Sequence, residues 1–248
     1  TGTKCKGCEY KNTARPDLKS GFHECMAMSL GKRFNPDAQT IFEIWNFRKS
    51  AKLMDLGIFS LQELQSLPNY DIYLNERQLM QVNMSLTPEK SESIDPGLRN
   101  EMNSWTFPLH FIDFETSMVA LPFTKGRKPY EQTAFQFSAH TLHKDGRIEH
   151  QEWIDANKGI FPNYEFVHQL KTVLDRDEGS IFRYAAHENT VLNQIKTQML
   201  EDDEDKYGDL IEWIETITEY KIDGMKIEGH RNMIDMLQLV RNYYYHSD

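Results

Sequence analysis

Apolar and polar positions alternate differently in successive stretches of the chain. Residues 1–34 are basic and turn-rich, with little apolar periodicity. From Pro36 the pattern becomes helical: Ile41, Ile44 and Trp45, then Leu53, Met54 and Leu56, recur near helical spacing until Gly57 breaks the run. Ser60-Leu61-Gln62-Glu63 has the spacing at which serine and glutamate cap each other's backbone N–H groups, and Leu61 and Leu64 give this short helix an apolar side. Another helix is predicted over Glu76 to Met84. Thr87-Pro88-Glu89 starts a further turn or helix with proline at its first position, where a missing N–H is no loss.

At Phe107 the texture becomes that of a strand. Leu109, Phe111, Asp113 and Glu115 share one face, and His110, Ile112 and Phe114 the other. Both faces are largely apolar until the acids appear, which is the pattern of a central strand covered on two sides. Two further strands, Thr133 to His143 and Arg147 to Ile154, meet across Lys144-Asp145-Gly146, where Asp-Gly signals a hairpin. A helix follows, opened by Pro162 with Phe166, Leu170, Val173 and Leu174 inward. Ile181 to Tyr184 reads as a short strand and His187 to Leu200 as a helix with Val191, Leu192 and Ile195 inward. After an acidic break at Glu201 to Asp205 come a helix around Leu210 to Tyr220, a strand near Asn232 to Ile234 and a terminal helix from Met236. This order predicts an α/β fold.

The 248 residues exceed the roughly 150 of an average domain, so one large domain, or one domain with an appendage, is expected. Lys and Arg number 28 against 38 Asp and Glu, a formal charge of -10 that argues against wrapping nucleic acid by bulk electrostatics. No apolar run approaches the roughly 20 residues needed to cross a bilayer, and the first residues carry no signal-peptide core. The expectation is a cytoplasmic protein with no membrane partner.

Asp113 and Glu115 are the sharpest chemical feature. At i and i+2 on a strand they point to the same side, roughly 6 to 7 Å apart along the chain. Desolvated side by side, the two carboxylates would repel. A divalent cation removes that cost, and hard oxygen ligands suit magnesium or manganese. The other reading is a strand ending at the surface with two solvated acids. Glu188 follows the strand Ile181 to Tyr184; if that strand lies beside the first, Glu188 is a third carboxylate for a two-cation site, and otherwise an ordinary acid favoured by a helix N-terminus.

Cys5, Cys8 and Cys25 with His23 supply three thiols and one imidazole, a set that zinc accepts and that lacks the fourth cysteine of an iron-sulfur cluster; the alternative is reduced thiols without metal. Lys125, Arg127 and Lys128 form a basic cluster that either seats a substrate phosphate or lies in a solvated loop. Phe123 and Tyr130 flank it, as base-stacking groups or as core and turn anchors. His140, His143 and His150 read as solvated strand histidines, and Trp45, Trp105, Trp153 and Trp213 as core.

Phe111-Ile112-Asp113-Phe114-Glu115-Thr116 resembles the first motif of the DEDD exonucleases of the ribonuclease H-like superfamily, and Tyr184-Ala185-Ala186-His187-Glu188-Asn189-Thr190-Val191-Leu192 resembles their second. With the stretch Pro129 to His140 and the Cys5-x-x-Cys8 segment, most of the chain is similar to a bacterial family that joins a RecB-like, cysteine-cluster nuclease region to a DEDD-type domain. The resemblance implies a ribonuclease H-like mixed sheet flanked by helices over 105–248, a small helical region over 35–104 and the cysteine-bearing tail of a RecB-like region over 1–34. It also implies 3′ to 5′ hydrolysis of a DNA or RNA strand with magnesium or manganese on Asp113, Glu115 and Glu188, and zinc or an iron-sulfur cluster at the cysteines.

Two departures stand out. The second-motif acid is usually an aspartate after an aromatic, whereas Glu188 follows His187. The third motif, which carries the general base, is expected downstream of Met233-Ile234-Asp235-Met236-Leu237, and the chain ends at Asp248 first. A fragment is therefore expected, completed by a RecB-like region and further C-terminal residues of the same polypeptide. Asp235 is a secondary candidate, as catalytic acid or structural residue. The alternative function is a non-catalytic nucleic-acid-binding or scaffolding module.

Overall fold

The structure is a computed structural model that describes residues 3–12, 14–15, 17–87 and 92–246. The chain divides into two compact units, one of Thr1–Ile94 with Tyr244–Asp248, the other of Asp95–Tyr243.

The first unit contains helices α1 (Gly21–Leu30), α2 (Ser50–Asp55), α3 (Leu61–Gln65) and α4 (Glu76–Ser85), and the strand β1 (Glu92–Ile94), which pairs antiparallel with the last strand, Tyr244–His246. The reciprocal Ser60–Glu63 cap opens α3 as its spacing predicts. The periodic stretch after Pro36 is interrupted: Ile41–Glu43 is a single 3-10 turn, and α2 begins only at Ser50. Phe22 and Met26 of α1 are buried with Ile41, Leu53, Leu61 and Leu64. The cysteine-bearing segment and the small helices share one core, and the two compact units part at Ile94. Helices of this length gain their stability from shared apolar burial. The turn expected at Pro88-Glu89 lies outside the described residues.

The second unit is built on a five-stranded mixed sheet. Along the chain run α5 (Gly97–Asn103), β2 (Leu109–Ser117), β3 (Thr133–Leu142), β4 (Ile148–Ile154), α6 (Asn163–Leu174), β5 (Ile181–Arg183), α7 (His187–Ile217), the hairpin β6 (Glu219–Ile222) and β7 (Met225–Glu228), β8 (Ile234–Asp235) and α8 (Met236–Tyr243). The sheet order is β4-β3-β2-β5-β8, antiparallel on the β3 side of β2 and parallel on the β5 side. Ile112 and Phe114 of β2, Phe137 and Ala139 of β3, and Ile181 of β5 pack against α6 and α7. On the other face Phe111 stacks on Phe182, with ring centroids 4.9 Å apart, and Trp105 meets Phe182 edge-on. This is an α/β fold with helices flanking a mixed sheet. The acidic break appears as a kink at Asp203 within one long α7.

Candidate functional site

The strand β2 sits in the middle of the sheet, and its period of two decides the site. Burying Ile112 and Phe114 against α6 and α7 turns Asp113 and Glu115 to the opposite face, where both are exposed. Next to β2, the parallel β5 ends at Arg183, and the chain turns into α7 through Ala185. Ala185 has φ +66, a left-handed conformation unusual for a residue with a Cβ. Three bonds hold it there. The Ala185 N–H donates to Asp235 Oδ1 at 3.1 Å, Arg183 Nη1 donates to Asp235 Oδ2 at 3.2 Å, and the same guanidinium donates to the Ala185 carbonyl.

This turn places Glu188 in the first turn of α7, 3% exposed. Burial pushes its carboxyl above the usual glutamate range; its own backbone N–H and His187 oppose the shift, while the charge on Asp113 adds to it. Glu188 Oε2 is buried without a hydrogen-bond partner. His187, exposed, reaches back with Nε2 3.4 Å from Thr116 Oγ1, tying the helix start to the end of β2. A buried, unpartnered carboxylate oxygen beside a second carboxylate is a donor set that fits a hard cation. Among the described residues, however, no group of three or more His, Cys, Asp or Glu stands close enough together to hold a metal ion. Asp113 is near enough for its charge to act on Glu188, and Glu115 follows it on the open face.

Asp235 has a structural position. Besides Arg183 and Ala185, it accepts from the N–H groups of Leu237 and Gln238 at 2.9 and 3.3 Å, so it caps α8 while it clamps the β5–α7 turn. The basic cluster is largely engaged by acids. Arg127 pairs with Glu131 and Asp202, and Lys128 Nζ lies 2.6 Å from Glu201; Lys125 stays exposed. Cys5 and Cys8 are half-buried against the core of the first unit, and Cys25 is exposed. His23, beside Phe22 and Phe34, joins no metal-holding group with them among the described residues.

His140 and His150 are exposed and stacked, with ring centroids 4.5 Å apart, while His143 is half-buried beside Glu149. Phe123 and Tyr130 are 68% and 64% exposed, so neither is a core residue. Of the tryptophans only Trp213 is fully buried. Trp45, at 42% exposure, is not core: it lies at the rim of the first unit, where Arg77 covers its ring.

The sequence reading missed the Arg183–Ala185 turn, because nothing in Tyr184-Ala185-Ala186 signals a positive φ. It also missed a buried polar chain in which His110 lies 3.0 Å from Thr141 Oγ1 and 2.8 Å from Asp177 Oδ1. Its signal was the presence of a histidine on the buried face of β2. The connectivity is that of a nucleophilic triad, but His110 and Thr141 are 2% and 6% exposed, which makes it a structural network.

Comparison with known protein families matches residues 110–248 to the Domain of unknown function DUF2779. The chain belongs to this family. The DUF2779 match opens at the second residue of β2 and covers more than half of the chain, so it takes in Asp113, Glu115, Glu188 and Asp235. No curated protein and no solved structure matches the chain.

Proposed function

We propose that the unit Asp95–Tyr243 is a divalent-metal-dependent phosphodiesterase module that shortens a nucleic acid strand from its 3′ end. The observation that carries this reading is the Glu188 carboxylate, buried with one oxygen unpartnered and its pKa raised further by Asp113, just past the carboxyl end of β5, the strand parallel to β2. Ligands of α/β sheets bind at such carboxyl ends of strands. The likeness of 111–116 and 184–192 to the DEDD motifs supplies the reaction class and the ribonuclease H-like architecture.

Asp113 and Glu188 would hold magnesium or manganese, with Glu115 beside them. The bound cation would neutralise phosphodiester charge and make a bound water more acidic. The protein's own contribution is positional. Asp113 and Glu115 stand on an open face that a strand can reach, the Arg183–Asp235 clamp fixes the turn that carries Glu188, and His187 is exposed at the same edge.

A second reading, a non-catalytic nucleic-acid-binding or scaffolding module, is favoured by one observation: no three ligands converge among the described residues. Degradation of 3′- and 5′-labelled single-stranded DNA and RNA in Mn²⁺ separates the two. Stepwise loss from the 3′ end by a polypeptide that extends through the third motif, absent in its Asp113→Ala variant, is expected. Binding without cleavage by that longer polypeptide would transfer the assignment to the module reading.

A further inference from the structure

Beyond the end of β2 a cavity of about 490 Å³ opens between the loop 118–131 and the connection 155–162 from β4 to α6. Its lining is mainly apolar, with Phe123, Phe135, Ile160 and Phe161 among its walls. Phe123 is 68% and Ile160 54% exposed, large apolar side chains held in water at a cavity lip. Contiguous exposure of this kind marks binding surfaces. The Arg127 guanidinium lies 3.8 Å from the Phe161 ring centroid and is itself fixed by Glu131 and Asp202, so that wall is braced.

Two lysines, one in the lining and one next in the chain to the lining residue Thr124, differ from the neutralised Arg127 and Lys128. Lys158, which lines the cavity, and Lys125 are exposed and make no ion pair among the described residues. Ser117, also in the lining, is two strand positions from Glu115, roughly 6 to 7 Å away along β2. Aromatic walls select a flat ring, the free cations select an anion attached to it, and Glu115 of β2 stands within about one nucleotide of the opening, with Asp113 two strand positions further on.

We propose that this cavity binds the base of a nucleotide, with its phosphate toward Lys158, and that the occupant is the terminal base of a nucleic acid strand whose backbone lies along Asp113 and Glu115. The second part rests on the strand-cleaving reading above; base binding itself does not.

Calorimetric titration of the 248-residue chain in EDTA, where no metal-dependent cleavage occurs, tests it with AMP, ribose 5-phosphate and inorganic phosphate. AMP is expected to bind at least about tenfold more tightly than ribose 5-phosphate, and Phe123→Ala to remove that advantage, as loss of a base–aromatic contact does. Lys158→Glu is expected to weaken AMP binding with the circular dichroism spectrum unchanged. Equal binding of AMP and ribose 5-phosphate, no binding of either, or AMP affinity unaltered in both variants would overturn the proposal.

A short single strand with an abasic 3′ residue identifies the source of the base. Weaker binding than the intact strand supports a strand end, whereas equal binding overturns the strand-end assignment. Failure of the cleavage reading shows separately, as intact strands in Mn²⁺ from a polypeptide that extends through the third motif and still binds AMP.

Discussion

Glu188 is a carboxyl that the folded chain disfavours in its ionised form. Its folded pKa lies above the unfolded value, so the protein binds more protons than the unfolded chain between the two, and stability falls as pH rises through that window. The penalty is absent below the unfolded glutamate pKa and full above the folded one. Glu188→Gln removes the buried charge and is therefore expected to raise stability at pH 7 to 8, with the gain vanishing near pH 4; urea melts across pH measure it. Asp235 is the opposite case, an acid whose oxygens are all used. Asp235→Ala leaves Arg183, 8% exposed, without its carboxylate and releases the Ala185 turn, and is expected to destabilise by about 3 kcal/mol in the same melts.

The hairpin between β3 and β4 turns through Gly146, at φ +87 and with open space where a Cβ would stand. Gly146→Ala should cost about 1 to 2 kcal/mol from backbone conformation alone, read as a lower thermal midpoint. That hairpin was legible because Asp145-Gly146 lies between two long alternating runs. The β6–β7 hairpin carries the same signal, with Asp223 and Gly224 both at positive φ, yet its four-residue strands alternate too briefly to be distinguished from the end of a helix. The two faces of β2 could be read because burial and period two coincide there. The left-handed Ala185, the interrupted helical run after Pro36 and the pairing of β1 with Tyr244–His246 were not legible, because each is imposed by partners distant in the chain. For the site, strand spacing put Asp113 and Glu115 on one face, while only the fold showed that Glu188 is buried and that Asp235 is already fully bonded.

Among the described residues there are two hydrophobic cores, one in each unit, and the family match falls almost entirely on the second. A polypeptide of Asp95–Tyr243 is expected to fold alone, giving dispersed amide resonances, and to show the same Mn²⁺-dependent rise in thermal midpoint as the 248-residue chain, since a ligand that binds only the native state must stabilise it. An unfolded piece would mean that its core depends on the first unit. The central claim is that Asp113 and Glu188 share a divalent cation, and Mn²⁺ binding followed by electron paramagnetic resonance tests it most directly. The account predicts saturable binding by the unsubstituted chain that weakens at least about tenfold in Asp113→Ala and in Glu188→Gln, both folded by circular dichroism. Mn²⁺ that does not bind, or that binds all three proteins alike, would contradict it.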